Sequence, residues 1–132
     1  MTADKRTILI VEDEPSIATL LTFTLRCAGW HPHAVAGACE AWDFLENHQP
    51  GLTLLDWMLP DRSGLSLLQD IRRERKFIAM PVIMLTAKGT SEDRSTCLGH
   101  GADAYMTKPF SPRDLTSRIG QLLQASGATA SA

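Results

Sequence analysis

Aromatic residues make up only 6% of the sequence, with a single tyrosine. The three cysteines, Cys27, Cys39 and Cys97, are odd in number, widely spaced and form no CxxC pair. That pattern argues against a disulfide framework or a cysteine zinc site, and makes a reducing cytoplasm the expected compartment. Charge of one sign is not in excess. Thirteen Lys and Arg face fifteen Asp and Glu, a formal net charge of −2, which argues against an autonomous nucleic-acid binder with its basic face. No apolar run is long enough to span a membrane. The first six residues lack the apolar stretch of a signal peptide. No GxxxxGK loop or Rossmann glycine pattern is present, which disfavours nucleotide binding, and there is no internal repeat. What remains is 132 residues, 44% hydrophobic and 21% charged. That is enough for one core and one domain.

The chain alternates short apolar runs with helical periods. Thr7-Ile8-Leu9-Ile10-Val11 reads as a strand. Pro15 then opens a helix at a position where proline is tolerated. Ile17, Leu20, Leu21 and Leu25 follow at helical spacing, and Gly29 stops it. Residues 33–36 form a weaker strand, placed at a sheet edge by Pro32. Ala38, Ala41, Trp42 and Leu45 mark a second helix, closed by residues 47–51. Leu52-Thr53-Leu54-Leu55 is a third strand ending in Asp56, and Leu65, Leu68 and Ile71 mark the third helix. Pro81-Val82-Ile83-Met84-Leu85 is a fourth strand ending in Thr86. A helix over residues 91–100 has little apolar surface beyond Cys97 and Leu98. Residues 104–107 are a short fifth strand ending in Lys108. Ser111-Pro112-Arg113-Asp114 reads as a capping box, and Leu115, Ile119, Leu122 and Leu123 supply the last helix's buried stripe. Five βα units in series predict an α/β fold, a parallel sheet with helices on both faces. Residues 125–132 contain only Ala, Ser, Gly and Thr and read as a flexible tail or linker.

Parallel sheets build their sites beyond the carboxyl ends of the strands, near a topological switch point. Here those ends carry Glu12-Asp13, Asp56, Thr86 and Lys108. Two carboxylates about 5 Å apart repel by about 3 kcal/mol at an effective dielectric near 20. Three acids together therefore call for a cation, and Mg²⁺ suits a few carboxylates with waters and phosphate oxygens. Lys108 adds a point charge and Thr86 a hydroxyl donor. Together they equip Asp56 to receive a phosphoryl group. Bland readings stand beside this one. Asp56 could cap the approach to the third helix, and Glu12 and Asp13 could only complement a helix dipole. Thr86, Lys108 and Tyr105 taken singly are ordinary. The four histidines are read as structural or surface residues, residues 90–94 as a cap with a solvated face, and the cysteines as buried small hydrophobes.

Four segments in order resemble the receiver domain of two-component response regulators. They are Ile8-Leu9-Ile10-Val11-Glu12-Asp13-Glu14, Leu55-Asp56-Trp57-Met58-Leu59-Pro60-Asp61-Arg62-Ser63-Gly64, Met84-Leu85-Thr86-Ala87-Lys88 and the stretch 101–110. Trp57-Met58-Leu59-Pro60 and Lys108-Pro109-Phe110-Ser111-Pro112 resemble the OmpR/PhoB subfamily. The likeness implies a flavodoxin-like, doubly wound five-stranded sheet of order 2-1-3-4-5 with five helices, a three-layer sandwich spanning residues 1–124. It implies Asp56 as phospho-acceptor, and Mg²⁺ on Asp13, Asp56 and the Met58 carbonyl with Glu12 acting through water. It implies Lys108 pairing with the phosphoryl group, Thr86 and Tyr105 as the switch pair, and a cis bond before Pro109. Met58 and Lys88 occupy positions that tune dephosphorylation in the family. The implied activity is Mg²⁺-dependent self-phosphorylation and self-dephosphorylation rather than enzymatic turnover. The implied partner is a sensor histidine kinase, with no direct nucleic-acid binding and no membrane contact.

Subfamily members dimerise on phosphorylation through the fourth helix, fifth strand and fifth helix. Arg94 and Asp114 match one charged pair of that face. Arg118 lacks its acidic partner because Ala104 stands there, and Asp103 lacks its basic one because of Ala125. Ser95 and Thr116 replace apolar patch residues. The face is eroded, and the subfamily's DNA-binding domain is not among these 132 residues. The expectation is therefore an excised receiver controlling transcription through an effector domain, or a single-domain diffusible regulator. An inert docking module, or a metal-dependent phosphatase or flavin carrier, are the competing classes. Met58 stands where an aspartyl phosphatase would want a second acid.

Overall fold

The computed structural model describes residues 2–87 and 89–125. The elements in chain order are β1 (Thr2–Val11), α1 (Pro15–Cys27), β2 (His31–Val35), α2 (Ala38–Asn47), β3 (His48–Asp56) and α3 (Gly64–Arg73). A short 3-10 turn (Arg75–Phe77) leads to β4 (Val82–Thr86), α4 (Ser91–Gly99), β5 (Ala104–Thr107) and α5 (Pro112–Ala125). All five strands are parallel, in the order β2-β1-β3-β4-β5. This is the flavodoxin-like topology that the resemblance implied.

Strand periodicity divides the core into two layers. Ile8, Ile10, Leu52, Leu54, Ile83 and Leu85 face α1 and α5, where Leu21, Leu25, Leu115, Ile119 and Leu123 close over them. Leu9, Val11, Leu55, Val82 and Met84 face the opposite way, onto Ala41, Leu45, Leu68, Ile71 and Cys97 of α2, α3 and α4. The central strands are apolar on both sides because both sides are covered. Burying each Leu or Ile stabilises by about 1.5–3 kcal/mol before entropy is charged against it.

Local signals set the ends. Ser63 Oγ accepts from Ser66 N at 3.1 Å, Thr90 Oγ1 from Asp93 N at 3.0 Å and Ser111 Oγ from Asp114 N at 3.3 Å. Gly29 adopts φ +96° just after α1, a left-handed turn that costs glycine little.

Several details depart from the sequence reading. β1 begins at Thr2, and β3 begins at His48 rather than after a turn over residues 47–51. The amino-terminal part of β1 pairs with Thr2 opposite His48, so this stretch is held by strand pairing despite its polar composition. Leu20 is 45% exposed; α1 covers the sheet with Leu21 and Leu25, and Leu20 lies off that stripe. Cys27 and Cys39 are exposed, and only Cys97 is buried. The first two sit at the end of one helix and the start of another, away from either core layer. Of the expected tail, residues 125–132, Ala125 ends α5; residues 126–132 and Lys88 lie outside the described residues.

Candidate functional site

The strand order reverses at β1, between β2 and β3, and the carboxyl ends of β1 and β3 open side by side there. Glu12 and Asp13 follow β1, and Asp56 ends β3. One carboxylate oxygen from each of the three lies within 4.8 Å of the others. Glu12 and Asp56 are only 4% and 5% exposed, while Asp13 is open to solvent. Lys108, just past β5, reaches across the sheet. Its Nζ donates to Glu12 Oε1 at 2.6 Å and to Asp56 Oδ2 at 3.0 Å. Three carboxylates thus meet one ammonium, a formal excess of two negative charges.

The electrostatics follow from that crowding. Burial holds the Glu12 carboxyl above its ordinary range, and the neighbouring Asp56 charge adds to this, against the pull of Lys108. For Lys108, burial alone would lower the ammonium. Its hydrogen bonds to Glu12 and Asp56 outweigh burial and leave it raised. An all-oxygen donor set of this kind fits a hard divalent cation.

Backbone contacts fix the acids. Glu12 N donates to the Val35 carbonyl at 3.0 Å, and Glu12 Oε2 accepts from Glu14 N at 3.0 Å. Met58 N donates to Asp56 Oδ1 at 3.3 Å. The loop after Asp56 closes through Gly64 N to the Trp57 carbonyl at 2.7 Å. A Cβ at Gly64 would lie 1.9 Å from the Asp56 carbonyl oxygen, so no other residue fits this closure. Met58 itself is 63% exposed beside the acids.

Thr86 ends β4, fully buried, and its carbonyl accepts from Lys108 N at 2.9 Å. The Lys108–Pro109 bond is cis. Tyr105 lies on β5, paired with Met84. Its hydroxyl is shielded from solvent and has no hydrogen-bond partner among the described residues. Burial raises it, and the charges of Asp93 and Cys97 on α4 add to the effect. Glu12, Asp13 and Asp56 therefore cluster with Lys108 bonded to Glu12 and Asp56, Thr86 sits at the same rim, and Tyr105 is turned toward α4. Arg94, Asp114 and Arg118 lie elsewhere, exposed on α4 and α5. Asp114 and Arg118 line a cavity of about 440 Å³ beside Tyr105, and Arg94 lines another of about 310 Å³ on the tyrosine's other side.

Sequence reasoning missed two groups. Asp61 accepts from Ala38 N at 2.9 Å and Cys39 N at 2.8 Å, at the start of α2. Asp103, read as an interface acid without its partner, is engaged inside the chain. Its Oδ2 accepts from Arg72 Nη2 and from Val82 N, both at 2.8 Å. Either role needs a partner more than twenty residues away, which no local spacing announces.

Comparison with known proteins agrees with this geometry. A family model described as the response regulator receiver domain matches residues 8–120. The phosphate regulon transcriptional regulatory protein PhoB of Escherichia coli is 43% identical over 119 residues, 90% of this chain and 52% of that protein. The chain spans about half the length of the curated relatives it matches. A CheY-like receiver domain protein from Methanospirillum hungatei superposes with a TM-score of 0.85 at 35% identity, covering 92% of this chain and 95% of that one. The receiver domain of the sensor histidine kinase PA1611 from Pseudomonas aeruginosa, solved with a magnesium ion coordinated in its active site cleft, gives 0.83 at 31% identity, covering 89% and 97%. The fold, the acidic cluster at its switch point and these likenesses agree: the chain belongs to the response regulator receiver domain family, a signalling module of two-component systems.

Proposed function

We propose that this chain accepts a phosphoryl group on Asp56 from a sensor histidine kinase and converts it into a change of surface. The observation that carries the reading is the meeting of Glu12, Asp13 and Asp56 within 4.8 Å, with Lys108 bonded to two of them. Mg²⁺ held by Asp13, Asp56 and the Met58 carbonyl, with Glu12 acting through water, would neutralise charge on the transferring group. An Asp56 carboxylate oxygen forms a bond to phosphorus as the bond from phosphorus to the donor nitrogen breaks. Lys108 then exchanges its Asp56 contact for a phosphoryl oxygen, and Thr86 donates its hydroxyl to another.

The scale is adequate. Moving a two-state population from 1:99 to 99:1 takes about 5.5 kcal/mol. Charge-assisted bonds from Thr86 and Lys108 supply about 1.5–3 kcal/mol each. Tyr105, between β5 and α4, relays the change to α4, where Cys97 is the one buried residue. Self-dephosphorylation, tuned at Met58 and Lys88, resets the switch.

The output we propose is transcriptional, through an effector domain joined beyond a receiver unit of residues 1–124, because the PhoB relatives are transcriptional regulators of which this chain spans about half. The working compartment is the cytoplasm; among the described residues no helix is long and apolar enough to cross a membrane. Ala104 and Ala125 favour a second reading, a diffusible single-domain regulator acting on a protein target. The complete acid, threonine and lysine set disfavours an inert docking module.

Treatment with a small acyl phosphate and Mg²⁺, followed by intact-mass and peptide mapping, tests the assignment. The wild type gains one phosphoryl group on the Asp56 peptide. Asp56→Asn gains none and keeps its circular dichroism spectrum. A fully labelled Asp56→Asn chain would refute the assignment.

A further inference from the structure

The loop that carries Asp56 is fastened to an element that takes no part in phosphoryl chemistry. Helix α2 opens at Gly37, which has no side chain to cap it. Its first free amides, on Ala38 and Cys39, are met instead by both oxygens of Asp61, at 2.9 and 2.8 Å. Asp61 lies five residues after Asp56 and three after Met58, in the same loop. The Cys39 thiol adds a further hydrogen bond, and together these donors hold the Asp61 carboxyl well below the usual range. The segment joining β2 to α2 therefore touches both halves of the acidic site. Its Val35 carbonyl takes the Glu12 amide, and its Ala38 and Cys39 amides take Asp61.

We infer that Asp61 is a positioning residue: by docking on the amino terminus of α2 it holds the Asp56–Gly64 loop so that the Met58 carbonyl and Asp56 are set for Mg²⁺. This rests on the proposed Mg²⁺-dependent function of the same site. Helix capping alone would give Asp61 a purely structural role, so the two roles must be separated. Gly37 permits that. A Cβ there would meet Asp61 Oδ1 at 3.0 Å, and its three nearest neighbours all belong to the Asp61 side chain, so truncating Asp61 relieves the closest contacts. A serine at position 37 then caps α2 from its own chain without fastening the loop.

The experiment compares the wild type, Asp61→Ala, Asp61→Asn and the double variant Gly37→Ser/Asp61→Ala. Thermal unfolding reports stability, and calorimetric titration with Mg²⁺ reports affinity. Removing an outer support of a metal site typically weakens the metal about 10–100-fold. Asp61→Ala is expected to lose stability and at least about tenfold in Mg²⁺ affinity. Asp61→Asn, with one acceptor oxygen left, falls between. The double variant is expected to regain thermal stability but not Mg²⁺ affinity. Recovery of both would reduce Asp61 to a helix cap and overturn the inference, as would an Asp61→Ala chain that binds Mg²⁺ like the wild type. A wild-type chain that binds no Mg²⁺ would instead remove the proposed function, and this inference with it.

Discussion

Glu12 is buried between Asp56 and Lys108, and its carboxyl is held above the ordinary 4.5 chiefly by burial. The folded chain therefore keeps a proton on Glu12 at pH values where the unfolded chain has lost it. Stability without metal must fall as pH rises from 4.5 through the raised value. Mg²⁺ competes with that proton, so its affinity must rise with pH over the same window. Urea unfolding at a series of pH values, without Mg²⁺, is expected to show the falling trend in the wild type and a flatter one in Glu12→Gln. Equal slopes in the two chains would contradict the assignment. Glu12, Asp13, Asp56, Thr86 and Lys108 were legible as site candidates because each ends or follows an apolar strand, and strand ends share a rim in parallel sheets. Asp61 and Asp103 were not legible. A carboxylate that caps a helix from another loop, or meets a distant arginine, has the same local sequence context as a solvated one.

At the scale of elements, the amphipathic stripes of α1, α2, α3 and α5 gave their positions, and the caps read at residues 90–94 and at Ser111 gave two of the starts; the Ser63 cap of α3 emerged only in the structure. What pattern did not show is how the α4–β5 connection is tied down. Arg72 of α3 spans it. Its Nε donates to the Gly101 carbonyl at 2.8 Å, Nη1 to the Phe77 and Met80 carbonyls at 2.9 Å, and Nη2 to Asp103 at 2.8 Å. Asp103 is 41% exposed, so solvent screens the ion pair and most of the stabilisation belongs to the carbonyls. Arg72→Ala removes these donors, although the Phe77 carbonyl keeps the Met80 amide at 3.1 Å, and should cost about 2 kcal/mol in urea unfolding. Arg72→Lys keeps the charge but not the planar fork, and should lose most of the same amount. An Arg72→Lys chain as stable as the wild type would show that charge alone holds this junction. The clamp fixes the exit of α4, while α4 itself is held by Cys97 and by the Thr90 cap. That makes it the cheapest helix to displace.

The molecule as a whole joins a sheet packed on both faces to one lightly held helix, a division suited to a switch. Its topology was legible because βα units follow one another without interruption. Its oligomeric behaviour is expected to turn on the α4–β5–α5 face, where only Arg94 and Asp114 match a charged pair of the subfamily. With Ala104 and Ala125 in place of charged partners, the chain should elute as a monomer in size-exclusion chromatography both with and without beryllofluoride and Mg²⁺. A dimer formed only with the mimic would restore the subfamily's route. The central claim is more basic: that Asp13, Asp56, Thr86 and Lys108 serve one pocket. A crystal structure of the chain grown with Mg²⁺ and beryllofluoride tests it most directly. The account predicts the adduct on Asp56, the metal on Asp13, Asp56 and the Met58 carbonyl, and Thr86 and Lys108 each bonded to a fluorine. Metal or adduct bound away from these four side chains would contradict it.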